Sequence, residues 1–318
     1  QTATEPDGLY AANAGGIAGT CSYATFTGCE NDKPVTGTEY AGGIAGRCAS
    51  SEFTSCENTG TITGSEYAGG IAGSGSRTFT SCKNNGAINC VKGTGGGILG
   101  EADNVDMRQC VNNGDVKSLP GDNHGFGPSG GIIGAIRSAN ASIADCENNG
   151  DVYIYEHYQG FDFSSYFDFQ TIAGGIVGSL NYRFTAFSGC VNTGNIHVYS
   201  DGHDKYDRSN ISVGGIVGTI PYIFVESENA TISKCTNSGA VYGEAYTASG
   251  SVRTGGIMGW NNMGVVISHC ENTGSVASVS TYDESVYKSL NYAHDYPLSC
   301  CSGGICGFAD NASTISYC

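Results

Sequence analysis

A Gly-Gly-Ile-x-Gly block recurs nine times along this chain, beginning at Gly15, Gly42, Gly69, Gly96, Gly130, Gly174, Gly214, Gly255 and Gly303. The first four starts are 27 residues apart, and the later gaps are 34, 44, 40, 41 and 48. Each block is followed by a cysteine: Cys29, Cys56, Cys82, Cys110, Cys146, Cys190, Cys235, Cys270 and Cys318. An apolar residue stands three places before each cysteine, as at Phe26, Phe53 and Phe79. Asparagine stands two places after it, at Asn31, Asn58, Asn84, Asn112, Asn148, Asn192, Asn237 and Asn272. Ile or Val stands six places after it, as at Val35 and Ile62. Such a period marks an array of stacked units.

Offsets of 0, +2 and +6 share one parity, which in extended chain puts Cys, Asn and Ile/Val on one face. A helix would need spacings of three and four along one face, and the alanine, leucine, lysine and glutamate that favour helices are sparse. One unit cannot bury its own apolar face, whereas stacking in register pairs every strand with its equivalents above and below. The expected fold is all-β: a parallel β-helix of about nine rungs with three short strands per coil. Those strands are the block itself, the segment entering the cysteine, and the segment carrying Ile/Val. Residues 1–318 then form a single β-solenoid domain, with minimal coils over 1–95 and loop insertions at one corner over 96–318.

The blocks, from Gly15 to Cys318, resemble GLUG-motif repeats, found in large secreted and cell-surface proteins including adhesins. Ile stands here where that family often has Leu. The resemblance implies an extracellular scaffold.

Net charge is −16, from 14 Lys+Arg against 30 Asp+Glu, which disfavours nucleic acid and anionic membrane as partners. The sequence has no apolar run long enough for a membrane span. It begins at Gln1, read as a processed form that has lost a targeting segment. The nine repeat cysteines are read as small buried hydrophobes. Disulfides between neighbouring rungs are disfavoured because the side chains run parallel. A metal ladder is disfavoured because each rung supplies one thiolate and tetrahedral sites need several. Of the others, Cys21 and Cys48 share an offset in adjacent units, so a lateral disulfide is expected there. Cys306 is the candidate partner for Cys300 or Cys301.

The inserted segments are rich in aromatics and acids. Tyr155, Tyr158, Phe161, Tyr166, Tyr206, Tyr287 and Tyr292 are candidates for stacking on a sugar or anchoring a surface protein. Packing of adjacent loops on one another is the alternative. Asp201, Asp204 and Asp207 are the one Ca²⁺ candidate, without the glycine and glutamate placement of an EF-hand. No other cofactor is implied. Sequons at Asn140, Asn210, Asn229 and Asn311 are glycan candidates. The repeat asparagines are read as a rung-to-rung amide ladder. Glu156, Asp162 and Asp168 are the only carboxylates nominated for glycoside hydrolysis. No nucleophile elbow, zinc-protease motif or phosphate loop is present.

The sequence ends in mid-unit at Cys318, and its two ends are complementary in the repeat. The expected function is a non-enzymatic extracellular structural or adhesive protein, its subunits stacking head to tail in a surface fibre or stalk. A carbohydrate-binding module is the alternative, followed by a polysaccharide-active enzyme.

Overall fold

The computed structural model describes residues 13–118, 127–137, 140–158, 169–180, 186–202, 208–220, 230–246, 249–262, 264–281, 299–309 and 313–318. They form a parallel β-solenoid with no helix among them. The second coil shows the plan: strand Tyr40–Gly42, a corner at Gly43 and Ile44, strand Ala45–Thr54, strand Glu57–Asn58, and strand Ile62–Gly64. Each strand pairs in parallel with its equivalent one coil on, with Ala41 opposite Ala68, Phe53 opposite Phe79, Asn58 opposite Asn84 and Ile62 opposite Ile88.

The coil therefore builds four sheets, where the sequence predicts three strands. Two local causes account for the difference. The block is not a strand: its two glycines end one strand and turn the corner into the next. Glu57–Asn58 is a strand of two residues, too short to show any periodicity. In the second coil one long strand, Ala45–Thr54, also joins the end of the block to the segment entering the cysteine. It bends at Ser50, which has a left-handed φ of 48°, and Arg77 and Asn104 repeat the bend one and two coils on.

Parity places Cys, Asn and Ile/Val all inward, as expected, but in two separate cores. One core stacks the block Ile, the Phe column and the Cys column; the other stacks Ala41, Ala68, Ile62, Ile88 and their equivalents. The division between them lies where the second glycine of each of the first eight blocks faces the asparagine of the same coil. A Cβ on Gly43 would sit 2.5 Å from Asn58 Cγ, and one on Gly16 2.6 Å from Asn31 Oδ1. The phenylalanine rings stack along the axis at 4.8 Å (Phe26–Phe53) and 4.7 Å (Phe53–Phe79).

The asparagine column is hydrogen-bonded throughout and runs one way. Asn58 Nδ2 donates to Gly60 O at 2.8 Å in its own coil and to Asn84 Oδ1 at 2.8 Å in the next. Asn112 Nδ2 does the same to Gly114 O at 2.7 Å and Asn148 Oδ1 at 2.8 Å. The chain of amides continues through Asn192 and Asn237 to Asn272. Buried amides are thus satisfied without water, which is what makes their burial tolerable.

Cys21 and Cys48 are disulfide-bonded, with Cα atoms 4.7 Å apart on adjacent rungs. By loop entropy, closing 27 residues contributes about 3.5 kcal/mol. Reduction, or Cys21→Ser with Cys48→Ser, is expected to lower unfolding stability by about that amount, read from urea denaturation with and without reductant. Cys300, Cys301 and Cys306 are unbonded, against expectation. Cys300 lies opposite Val252 and Cys301 opposite Arg253 on one sheet, while Cys306 lies opposite Met258 on another. Val252 belongs to the second core and Met258 to the first. Cys300 and Cys306 are therefore separated by the glycine–asparagine division, and Cys301 alternates to the outside.

The insertions are not loops alone. Their first residues lengthen one sheet, from the three-residue strand Val116–Ser118 to Val152–Tyr158 and Ile196–Gly202. Their last residues lengthen the facing sheet, as strands Phe169–Gly174, Arg208–Gly214 and Ser249–Gly255. Ile154, Val198, Ile211 and Val252 are buried between the two extensions.

Candidate ligand-binding face

The lengthened strands alternate, so Ile154 and Val198 point inward while Tyr153, Tyr155, His197 and Tyr199 point out. Parallel register then sets the outward residues in columns. Lys117, Tyr153, His197 and Tyr242 form one column, and Tyr155, Tyr199 and Glu244 another. Tyr155 and Tyr199 stack at 5.0 Å between ring centres, 11° from parallel. His197 lies edge-on to Tyr242 at 4.9 Å and tilted to Tyr153 at 6.5 Å. Tyr155 is the most open of these tyrosines, with 46 % of its surface exposed.

Carboxylates edge the rings. Tyr153 donates its phenol hydrogen to Asp151 Oδ2 at 2.7 Å, and Tyr242 to Glu244 Oε2 at 2.9 Å. Lys117 Nζ sits 5.8 Å from the Tyr153 ring centre and pairs with Asp115 at 3.3 Å. The hydrogen bond to Asp151, and then burial, push the Tyr153 phenol up to about 12. Burial, and then the Asp201 charge, raise Tyr199.

The Tyr153 shift gives a measurable outcome. The folded chain keeps this proton above pH ~10, where an unfolded tyrosine loses it. Its contribution to stability is whole below pH ~10 and is lost as pH rises toward about 12. Asp151→Asn removes the charged acceptor. One tyrosine is then expected to move back toward ~10 in a phenolate absorbance titration, while the other shifted tyrosines stay.

Among the predicted ligand residues, Tyr155 is on this face and Tyr158 is the last residue of its strand. Phe161, Tyr166, Tyr206, Tyr287 and Tyr292 lie outside the described residues, as do Asp204, Asp207, Asp162, Asp168, Asn229 and Asn311. Asp201 is buried near the end of its strand, opposite Tyr246. Glu156 points into the second core and accepts a hydrogen bond from the Thr171 hydroxyl. It is not placed on an open cleft. Asn140 is exposed in a left-handed turn at φ 72°, whereas Asn210 lies within strand Arg208–Gly214. Among the described residues no three His, Cys, Asp or Glu side chains converge as a metal site.

His197 and Tyr242 were missed as site residues by sequence reasoning. Their signal was available, because Lys117, Tyr153, His197 and Tyr242 all stand seven places after a repeat cysteine. No family model matches this chain, and no curated protein matches it.

Proposed function

We propose that this chain is a non-enzymatic extracellular structural or adhesive rod of the GLUG-repeat type, stacking in register as part of a surface fibre or stalk. The observation that supports this reading is the one-way amide chain from Asn31 to Asn272. Each coil offers its neighbour the same hydrogen-bonding edge, so growth by whole coils costs no new design. A second copy in register, or further repeats, would continue the same columns. A strand edge left unpaired favours pairing with another chain. Electron microscopy of the purified chain over a range of concentrations tests the stacking. Rods that lengthen with concentration support it; rods of one short length at every concentration sink it.

The Tyr155–Tyr199 stack, with Glu244 next in its column and Tyr153 tied to Asp151 in the neighbouring one, favours a second reading, a carbohydrate-binding face. Aromatic rings with carboxylate acceptors suit sugar rings and their hydroxyls. Glycan-array binding lost in Tyr155→Ala and Tyr166→Ala would support it, and binding unchanged by both would remove it.

A further inference from the structure

Seven cysteines of the repeat, Cys56, Cys82, Cys110, Cys146, Cys190, Cys235 and Cys270, are buried in one column inside the first core. The residues that follow them pair in parallel register from coil to coil, Glu57 with Lys83, Lys83 with Val111 and on to Thr236 with Glu271, so the seven thiols stand one above another along the axis. The sulfurs also donate to carbonyls, as Cys110 does to Phe79 O at 3.6 Å and Cys146 to Ala144 O at 3.4 Å. The phenylalanine rings three residues upstream stack at 4.8 and 4.7 Å in the first three coils, which is the spacing of paired strands, and parallel register carries that spacing to the sulfurs. Twice a metal–thiolate bond of ~2.3 Å is ~4.6 Å. A cation placed midway between two successive sulfurs would therefore meet both at bonding distance without backbone movement.

We propose that this column is a binding site for a soft monovalent cation of the Cu(I) class, held in linear two-coordination between thiols of successive coils. Three features select that chemistry. One sulfur per coil cannot furnish three or four ligands at a point, which argues against zinc-type sites. Thiolate sulfur prefers soft cations. The surroundings are Ile, Phe, Val and Ala, where an unbalanced charge is costly. The step keeps charge constant: R–SH + M⁺ gives R–S–M + H⁺, and the next sulfur donates a lone pair to the second position. One proton leaves for each cation that enters, and nothing is oxidised or reduced. Bonds to bridging sulfur are bent, whereas the column is straight, so each sulfur serves one cation. Seven thiols then make three pairs.

The parity of the column makes this testable. The starting protein is the full chain with Cys29, Cys300, Cys301, Cys306 and Cys318 changed to Ser, which removes the more accessible thiols and keeps the Cys21–Cys48 bond. It is titrated anaerobically with Cu(I) alone, against a competing chelator. Three cations per chain are expected, with thiolate-to-copper absorption, two sulfur neighbours by X-ray absorption, and an unchanged circular dichroism spectrum. Cys146→Ala splits the column into three and three, and stoichiometry should fall to two. Cys110→Ala splits it into two and four, and stoichiometry should stay at three. Cys82→Ala should give two, and serves if Cys146→Ala does not fold. No binding by the folded chain overturns the proposal. So does equal stoichiometry in Cys146→Ala and Cys110→Ala, coordination by three sulfurs, or binding only with loss of the fold.

Discussion

Asn112→Ala is expected to lower unfolding stability by about 3–6 kcal/mol, although no ligand and no apolar contact of note is lost. Asn112 is fully buried at the division between the two cores. Its amide makes four hydrogen bonds: Nδ2 to Gly114 O and to Asn148 Oδ1, and Oδ1 from Asn84 Nδ2 and from Gly114 N. Alanine leaves four polar atoms buried without those partners. Each such group costs ~1–3 kcal/mol, partly relieved by relaxation. Asn112→Asp is expected to be at least as damaging, because a carboxylate would face two oxygens, Gly114 O and Asn148 Oδ1, that now accept. Asn31→Ala should cost less, since Asn31, in the outermost described coil, makes three such bonds: Nδ2 to Asn58 Oδ1 and to Lys33 O, and Oδ1 from Lys33 N at 3.4 Å. Urea denaturation of the three variants checks this order. Stability in a solenoid is carried by neighbour contacts, so the Asn112 variants are also expected to unfold in two steps.

The parallel β-helix, the asparagine column and the Cys21–Cys48 bond were legible because each is a repeated offset. A solenoid turns a sequence offset directly into a spatial column. Apart from the column seven places after the cysteine, what stayed hidden has no residue signature. The residue before each repeat cysteine is left-handed in all nine coils, yet it is Gly28, Ser55, Ser81, Gln109, Asp145, Gly189, Lys234, His269 and Tyr317. The hydrogen-bonded stack around the turn imposes that conformation on whatever residue is there, at a local cost. The two cores were hidden because parity reports inward or outward, not which inward space. The lengthened strands under Tyr155 and Tyr199 were hidden because their alternation lies inside segments whose lengths vary from coil to coil. For the same reason the aromatic face was expected on loops and is found on a sheet.

Gly131→Ala is expected to unfold the middle of the rod or cost more than ~4 kcal/mol, the range that only a named steric or polar defect reaches. Gly131 does not have a left-handed φ, so conformational freedom is not the reason. The reason is space. A Cβ there would overlap the Gly175 carbonyl of the next coil and the Asn148 side chain across the coil. Neither can retreat, because Gly175 N donates to Gly214 O at 3.1 Å and Asn148 is tied to both neighbouring asparagines. Gly304→Ala in the unstacked chain supplies the control: it is the same block position, but a Cβ there meets no described residue within 4 Å. It should be neutral, or slightly stabilising through the unfolded chain. The sequence contains its own version of this experiment. Four residues after the cysteine, glycine holds the position in the next seven coils, and Lys33 holds it in the first. A Cβ on Gly60 would strike Lys33 O, the carbonyl one coil below, and a Cβ on Gly86 would strike Gly60 O. Lys33 has no described coil beneath it and keeps its side chain in solvent beside Asp32. Lys33→Gly should therefore change stability by no more than about 1 kcal/mol, whereas Gly86→Lys should behave like Gly131→Ala. Equal effects from Gly131→Ala and Gly304→Ala would mean that the glycines are kept for folding kinetics or flexibility and not for the packing of coil on coil.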